Sequence, residues 1–104
     1  MTLLLAGKIN DDGQNVEVTL LHNPANAAVL SVEETVTTGE FLVTIDKNIM
    51  QQTAPQRWYI ANNQGKKYCV SVNVSNQFII AQFDQNGDNE RGVCMNHPFE
   101  IYTY

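Results

Sequence analysis

The sequence predicts an all-β fold with about eight short strands, either a single antiparallel β-sandwich (Ig-like or transthyretin-like) or a small β-barrel. Turn-forming residues recur at the short spacing typical of all-β proteins, and no window shows a convincing helical period. Of the 104 residues, 43% are apolar and only 16% are charged. We therefore expect residues 1–104 to form a single β domain with a substantial core.

Four strands are predicted in the first half of the chain. Alternating or β-branched residues place them at 2–9, 16–20, 28–36 and 41–45. Gly13 lies in the turn after the first strand, Pro24 interrupts the chain after the second, and Gly39 turns it into the fourth. The strict alternation over 16–20 is typical of a half-buried strand with one face in water.

The second half predicts a further set of strands around one hairpin. The strands are placed at 57–61, on both sides of the Ser75-Asn76 turn within 67–83, at 93–95 and at 99–104. The last of these is expected to be an edge strand, because Pro98 precedes it. The polar segment 46–56 is irregular and has room for one helical turn at 48–52.

The hairpin within 67–83 has the most specific predicted register. Folding at Ser75-Asn76 pairs Val74 with Gln77, Val72 with Ile79, Val70 with Ala81 and Tyr68 with Phe83. This register gives one apolar face that ends in an aromatic pair. The opposite face is mixed and contains Cys69, Ser71, Asn73, Phe78, Ile80 and Gln82. We expect a second sheet or a partner to cover that mixed face.

Charge and hydropathy argue against two classes of partner. The formal net charge is −5, whereas a nucleic-acid-binding protein would present a basic face. No apolar run reaches transmembrane length, and the first residues lack a signal-peptide pattern, so we expect no membrane partner. Residues 1–46 carry seven acids and one lysine, whereas 47–104 carry five bases and four acids. This asymmetry either steers head-to-tail contact between copies or reflects two differently decorated solvent surfaces.

The thiol and imidazole side chains do not form a recognisable reactive or metal site. Cys94 and His97 lie three residues apart, and Cys69 and His22 would have to complete a zinc site. Structural zinc usually requires two closely spaced ligand pairs, and only one is present. A Cys94–His97 nucleophilic pair has no visible orienting partner. Whether Cys69 and Cys94 form a disulfide stays open at the level of sequence.

An acidic loop follows the hairpin and resembles the start of a calcium loop only in spacing. Its ligand-type residues stand at alternate positions and are Asp84, Asn86, Asp88 and Glu90. Met95 stands where the final glutamate would be needed, and no helices flank the loop. A solvated loop is the favoured interpretation. We therefore expect no catalytic residues, no cofactor and no metal, and hence no enzyme.

Aromatic and apolar residues near the end of the chain form the candidate interface. Tyr102 and Tyr104 share one face of the last predicted strand, and Phe99 and Ile101 share the other. A terminal aromatic edge strand is a suitable docking edge for a protein partner. Trp58 and Tyr59 complete the candidate set, either as interface anchors or as sugar-stacking rings.

The first half of the chain also resembles a known family. Its motifs are Gly7-Lys8-Ile9, Asp11-Asp12-Gly13, the alternation of Val16, Val18 and Leu20, and Gly39-Glu40-Phe41. This layout resembles the carboxypeptidase-regulatory-like (transthyretin-like) β-sandwich modules, and similar segments occur in tail and virion proteins of bacteriophages. The proline and Thr-Asp that usually precede the turn are absent here. The resemblance implies a β-sandwich and a virion setting.

Together these observations predict a non-catalytic structural or interaction module. We expect a bacteriophage virion or tail component that assembles with copies of itself or with neighbouring proteins, made in the host cytoplasm and located in the virion. The alternative is a soluble binding module that is cytoplasmic, or secreted without a recognisable signal. It would be a lectin using Trp58 and Tyr59, or a protease inhibitor presenting the loop at 48–56.

Overall fold

The computed structural model describes residues 2–50, 57–59 and 66–103, and these residues form eight strands and no helix. The strands are β1 (Thr2–Asp11), β2 (Val16–His22), β3 (Val29–Glu34), β4 (Glu40–Ile45), β5 (Arg57–Tyr59), β6 (Lys67–Val74), β7 (Gln77–Phe83) and β8 (His97–Thr103). The backbone of β5 is described, whereas its side chains are not.

The strands form two antiparallel sheets that pack against each other. The smaller sheet has the order β2-β1-β8, and the larger has the order β3-β4-β7-β6-β5. The predicted all-β class and antiparallel pairing are confirmed, and the arrangement is that of a β-sandwich or a small open barrel. The last strand, β8, lies at the edge of its sheet, as the sequence predicted.

Alternating residues from the two inner faces fill the space between the sheets. Leu5 and Ile9 of β1 belong to the same core as Val43 and Ile45 of β4, and all four are fully buried. Each such side chain contributes about 1.5–3 kcal/mol through its removal from water. The period-2 alternation seen in the sequence is therefore the physical basis of the sandwich.

The β6–β7 hairpin turns at Ser75-Asn76 as predicted, but most of its predicted register is wrong. Val74 pairs with Gln77, and then Asn73 is an extra residue on β6, so that Val72 pairs with Phe78 rather than Ile79. This β-bulge shifts every later pair by one residue. The predicted apolar face is therefore split, because Tyr68, Val70 and Val72 face the core together with Phe78, Ile80 and Gln82.

Two further local predictions are wrong. Residues 93–95 are not a strand; they belong to the connection between β7 and β8, which we call the strap (residues 84–96). Gly92 and Asn96 bracket this segment with φ values of 77° and 64°, which interrupt extended backbone. Residues 48–50 are not helical, and the rest of that predicted turn lies outside the described residues, as do positions 60–61 of the predicted strand 57–61.

The strap connects the two sheets across the end of the sandwich. Gly39 comes so close to the strap that an added Cβ would lie 2.5 Å from the backbone oxygen of Glu90. On its other side, the amide of Asp11 donates to the carbonyl of Cys94 at 2.5 Å. The strap therefore fixes the end of β1 relative to the turn that begins β4.

Candidate interaction surface

The predicted docking face on β8 is only partly available. Phe99 and Ile101, two of the predicted interface residues, are 0% and 3% exposed and belong to the core, so their side chains are not available to a partner in the folded chain. The pleat of β8 is the reason: in this register these two positions point towards the larger sheet. The ring of Phe99 packs on that of Phe78 with centroids 5.3 Å apart.

The remaining predicted interface residues have different positions. Tyr102 is half-buried, and its hydroxyl donates to the carboxylate of Glu100 on the same strand. The backbone of Trp58 and Tyr59 lies in β5, paired with β6. Their side chains and the whole of Tyr104 lie outside the described residues. Their proposed roles at an interface, or in sugar binding, therefore stay predictions.

Strand β8 is packed against the larger sheet at what we call the closed seam, where β8 meets β5 and β6. The hydroxyl of Tyr68 on β6 donates to the carbonyl of Pro98 on β8. The ring of Tyr68 also lies 6.2 Å from the ring of His97, measured between centroids. This seam is held by buried contacts between the sheets.

The opposite side of the sandwich is different, and we call it the open seam, where β2 and β3 lie next to each other. The two strands belong to different sheets, and no backbone hydrogen bond joins them in the described chain. Val16, Val18 and Leu20 of β2 pack against the core but stay only half-buried. The outer edge of β2 is therefore an unpaired strand edge beside partly covered apolar side chains.

Arg91 of the strap bridges the two sheets near the open seam. Its Nη2 lies 3.1 Å from Oδ1 of Asp11 on β1, and its Nη1 lies 3.3 Å from Oε1 of Glu34 on β3. Its guanidinium also lies 5.1 Å from the centroid of the Phe41 ring. The acidic first half and the more basic second half of the chain are thus partly paired within one molecule. Neither interpretation of the charge asymmetry drawn from the sequence included this pairing.

Asp11 is fully buried, and its carboxylate is completely engaged. Burial alone would raise its pKa, but the hydrogen bonds from Arg91 and from the amides of Gly92 and Gly13, with the charge of Arg91, hold the pKa below its usual range. Those amides donate at 2.8 and 3.0 Å. Hydrogen bonds to the charged form are the physical cause. Asp11 therefore acts as a structural anion that fixes the strap.

Two exposed leucines mark the open seam. Leu21 is 62% exposed and Leu30 is 63% exposed. Each is the extra residue of a β-bulge, one in the β1–β2 pairing and the other in the β3–β4 pairing. Bulges at sheet edges redirect side chains, and here each gives an edge strand an outward leucine. The sequence does carry a signal for this, since Leu20-Leu21 and Val29-Leu30 each break the alternation of their strand.

The thiols are free and poorly suited to react. The Cys94 thiol is fully buried, and burial together with the charge of Asp11 raises its pKa to about 12. Burial also raises the pKa of the half-buried Cys69 thiol. The two cysteines are not bridged. Thiolates are the nucleophilic form, so neither residue is activated at neutral pH.

The acidic loop of the strap uses its first carboxylate to organise its own backbone. Oδ1 of Asp84 accepts hydrogen bonds from the amides of Asn86 at 2.8 Å and Asp88 at 3.0 Å. Among the described residues, no group of three or more His, Cys, Asp or Glu side chains is arranged to hold a metal ion.

A second polar feature lies at the tip of the β1–β2 hairpin. An open depression there is lined by Asn10, Asp12, Asn15, Val16 and Glu17. The carboxylate of Asp12 accepts hydrogen bonds from the amides of Gln14 and Asn15 at 2.8 and 2.7 Å, and these bonds hold its pKa below its usual range. The carboxylate of Asp12 thus organises the turn that forms this depression.

Comparison with known proteins returned no match: no family model matches the chain, nor does any curated protein or any solved structure. The described part of the chain contains no helix with the length and apolar character needed to cross a membrane.

Proposed function

We propose that this protein is a non-catalytic interaction module that works by assembling with copies of itself or with neighbouring proteins. The observation that carries this proposal is the open seam. There the edge of β2 is unpaired, and Leu21 and Leu30 are exposed on adjacent edge strands. Exposed edges and outward apolar side chains are liabilities in a solitary domain, and assembly would cover both.

The state of the chemically active side chains supports the same proposal. Cys94 is buried with a pKa of about 12, and the carboxylates of Asp11 and Asp84 are engaged in local structure. A thiol with a raised pKa is a poor nucleophile, and carboxylates that accept these hydrogen bonds organise local backbone. We include a bacteriophage virion or tail setting in the proposal. It rests on the resemblance carried by motifs such as Gly7-Lys8-Ile9 and Gly39-Glu40-Phe41.

Size-exclusion chromatography with light scattering over a wide concentration range tests the proposal. We expect a mass that rises with concentration above the 11.7 kDa of one chain, because assembly is the proposed mode of action. A mass that stays at 11.7 kDa up to millimolar concentration would overturn self-assembly.

A further inference from the structure

We propose that β2 pairs with β2 of a second copy, antiparallel, with the two-fold axis at Val18. The three-stranded sheets of the two copies then become one continuous sheet. This inference rests on the proposed function and names the partner and the edge through which it binds. It follows from the direction of the β2 backbone groups, the side-chain alternation of β2 and the lack of protection on this edge.

The backbone groups that would bond the second copy can be identified from the hairpin. The amide of Asp12 donates to the carbonyl of Asn15 at 3.3 Å, which makes this pair the hydrogen-bonded end of the β1–β2 ladder. Hydrogen-bonded and non-hydrogen-bonded residue pairs alternate along an antiparallel ladder. The next pair, Asp11 and Val16, therefore directs its amides and carbonyls away from each other. The amide of Asp11 does bond outwards, to Cys94. By the same alternation Val16, Val18 and Leu20 present their backbone groups at the free edge.

This set of groups matches itself under two-fold symmetry. With the axis at Val18, the backbone of Val18 forms hydrogen bonds with that of Val18 in the second copy. The backbone of Val16 forms them with that of Leu20 in the second copy. The paired segment covers residues 16–20, which lie before the bulge at Leu21 and are regular throughout. All outward amides and carbonyls of that segment find a partner.

The side chains are complementary in the same register. On the inner face Val16 meets Leu20, and Val18 meets Val18, so that half-buried apolar side chains cover one another. On the outer face the exposed Glu17 meets the exposed Thr19, whose hydroxyl can donate to the carboxylate. One side-chain contact in this register is unfavourable, because Glu17 of one copy lies roughly 8 Å from Glu17 of the other. The distance follows from two residues of strand rise and one spacing between strands.

The edges formed by β8 and β3 fit a second copy less well. Strand β8 is packed at the closed seam and contains Pro98, which has no amide hydrogen to donate. Strand β3 carries Glu33 and Glu34 next to each other, and Glu34 already binds Arg91. Strand β2 has neither lysine nor proline, and over residues 16–20 it has no bulge and a single charged side chain, Glu17.

Engineered disulfides test both the edge and the register. In the proposed dimer residue 17 of one copy lies opposite residue 19 of the other at a non-hydrogen-bonded position. Their Cα atoms are there about 4.5 Å apart, within the range of a disulfide. Mixing Glu17→Cys with Thr19→Cys should therefore give cross-linked mixed dimers under mild oxidation. Each variant alone should cross-link at least fivefold less, and the unmodified chain controls for Cys69 and Cys94.

The outcomes separate this inference from the proposed function. If the unmodified chain is dimeric by light scattering but the mixture does not cross-link, β2 pairing is overturned and assembly stands. If Thr19→Cys alone cross-links better than the mixture, the axis is not at Val18 and the proposal is overturned. If the unmodified chain is monomeric at every concentration, self-assembly itself fails. Circular dichroism of each variant confirms that the fold is retained.

Discussion

The two seams of this sandwich join the same two sheets by different means. At the closed seam, the ring of Tyr68 beside His97 and the hydrogen bond from its hydroxyl to the carbonyl of Pro98 hold β8 to β6. Near the open seam Arg91 bridges β1 and β3, and the β2 edge is left unpaired. Where apolar packing closes a seam, as at β8, the side chains of the edge strand are buried. Where the sheets are joined by an ion pair near one end, the edge of β2 stays exposed along the rest of its length. The edge that looks aromatic in the sequence is therefore the less available of the two.

The largest effect is expected from Phe99→Ala on β8, in the core between the sheets. Phe99 is fully buried against Phe78, so its truncation should leave a cavity and lower the free energy of unfolding by about 3–5 kcal/mol. Urea denaturation measures this loss, and Phe99→Leu should lose clearly less. A loss under about 1 kcal/mol for the alanine variant would show that β8 is not packed against the larger sheet as described.

Gly39→Ala should give the next largest loss of unfolding free energy, because the added methyl group would push the strap away from the start of β4. Gly39 has a φ of 78°, and its added Cβ would meet the backbone of Glu90. The matched control is Gly87→Ala, with a φ of 87° and open space around the added atom. The control should lose about 1 kcal/mol of unfolding free energy, because alanine is strained at a positive φ even where the added atom meets nothing. Gly39→Ala should lose about 1–3 kcal/mol more from the clash, and equal losses would contradict the close approach.

A smaller effect, about 2 kcal/mol at neutral pH, is expected for Asp11→Asn. The pKa of Asp11 is lowered in the folded state from its ordinary value of 3.8. Its contribution is therefore complete above that value and is lost as the pH falls through the lower folded pKa. The difference in unfolding free energy between the two proteins should shrink in acid. Urea melts at pH 7 and pH 2 measure it, and a difference independent of pH would contradict the ionic role of Asp11.

The smallest effect is expected at the open seam, from Glu17→Gln. In the proposed dimer two Glu17 carboxylates lie about 8 Å apart, a repulsion of roughly 0.5 kcal/mol in water. Removing it should tighten association about twofold and reduce its dependence on salt. Analytical ultracentrifugation at two salt concentrations measures both effects. The matched control is Glu33→Gln on β3, which should leave association unchanged; an equal gain for both variants would indicate a general charge effect.

Alternation in the sequence predicts most of the strands and their antiparallel pairing, because period 2 is a local property. The alternation does not reveal the bulge at Asn73. The same residues of β6 fit either register, and only the assembled hairpin shows that Asn73 has no partner on β7. The alternation does not reveal the strap either, because Arg91 and Asp11 are 80 positions apart and their ion pair depends on the assembled sheets. The aromatic residues of the last strand predicted a docking face on β8, whereas the exposed leucines, Leu21 and Leu30, break the alternation of β2 and β3.

Hydrogen exchange at two protein concentrations tests the difference between the seams most directly. The amides of Val16, Val18 and Leu20 face outwards from β2 and should exchange rapidly in dilute protein. They should become protected as the concentration rises, while the amides of β8 should keep the same protection throughout. Protection that rises with concentration on β8 and not on β2 would contradict this account.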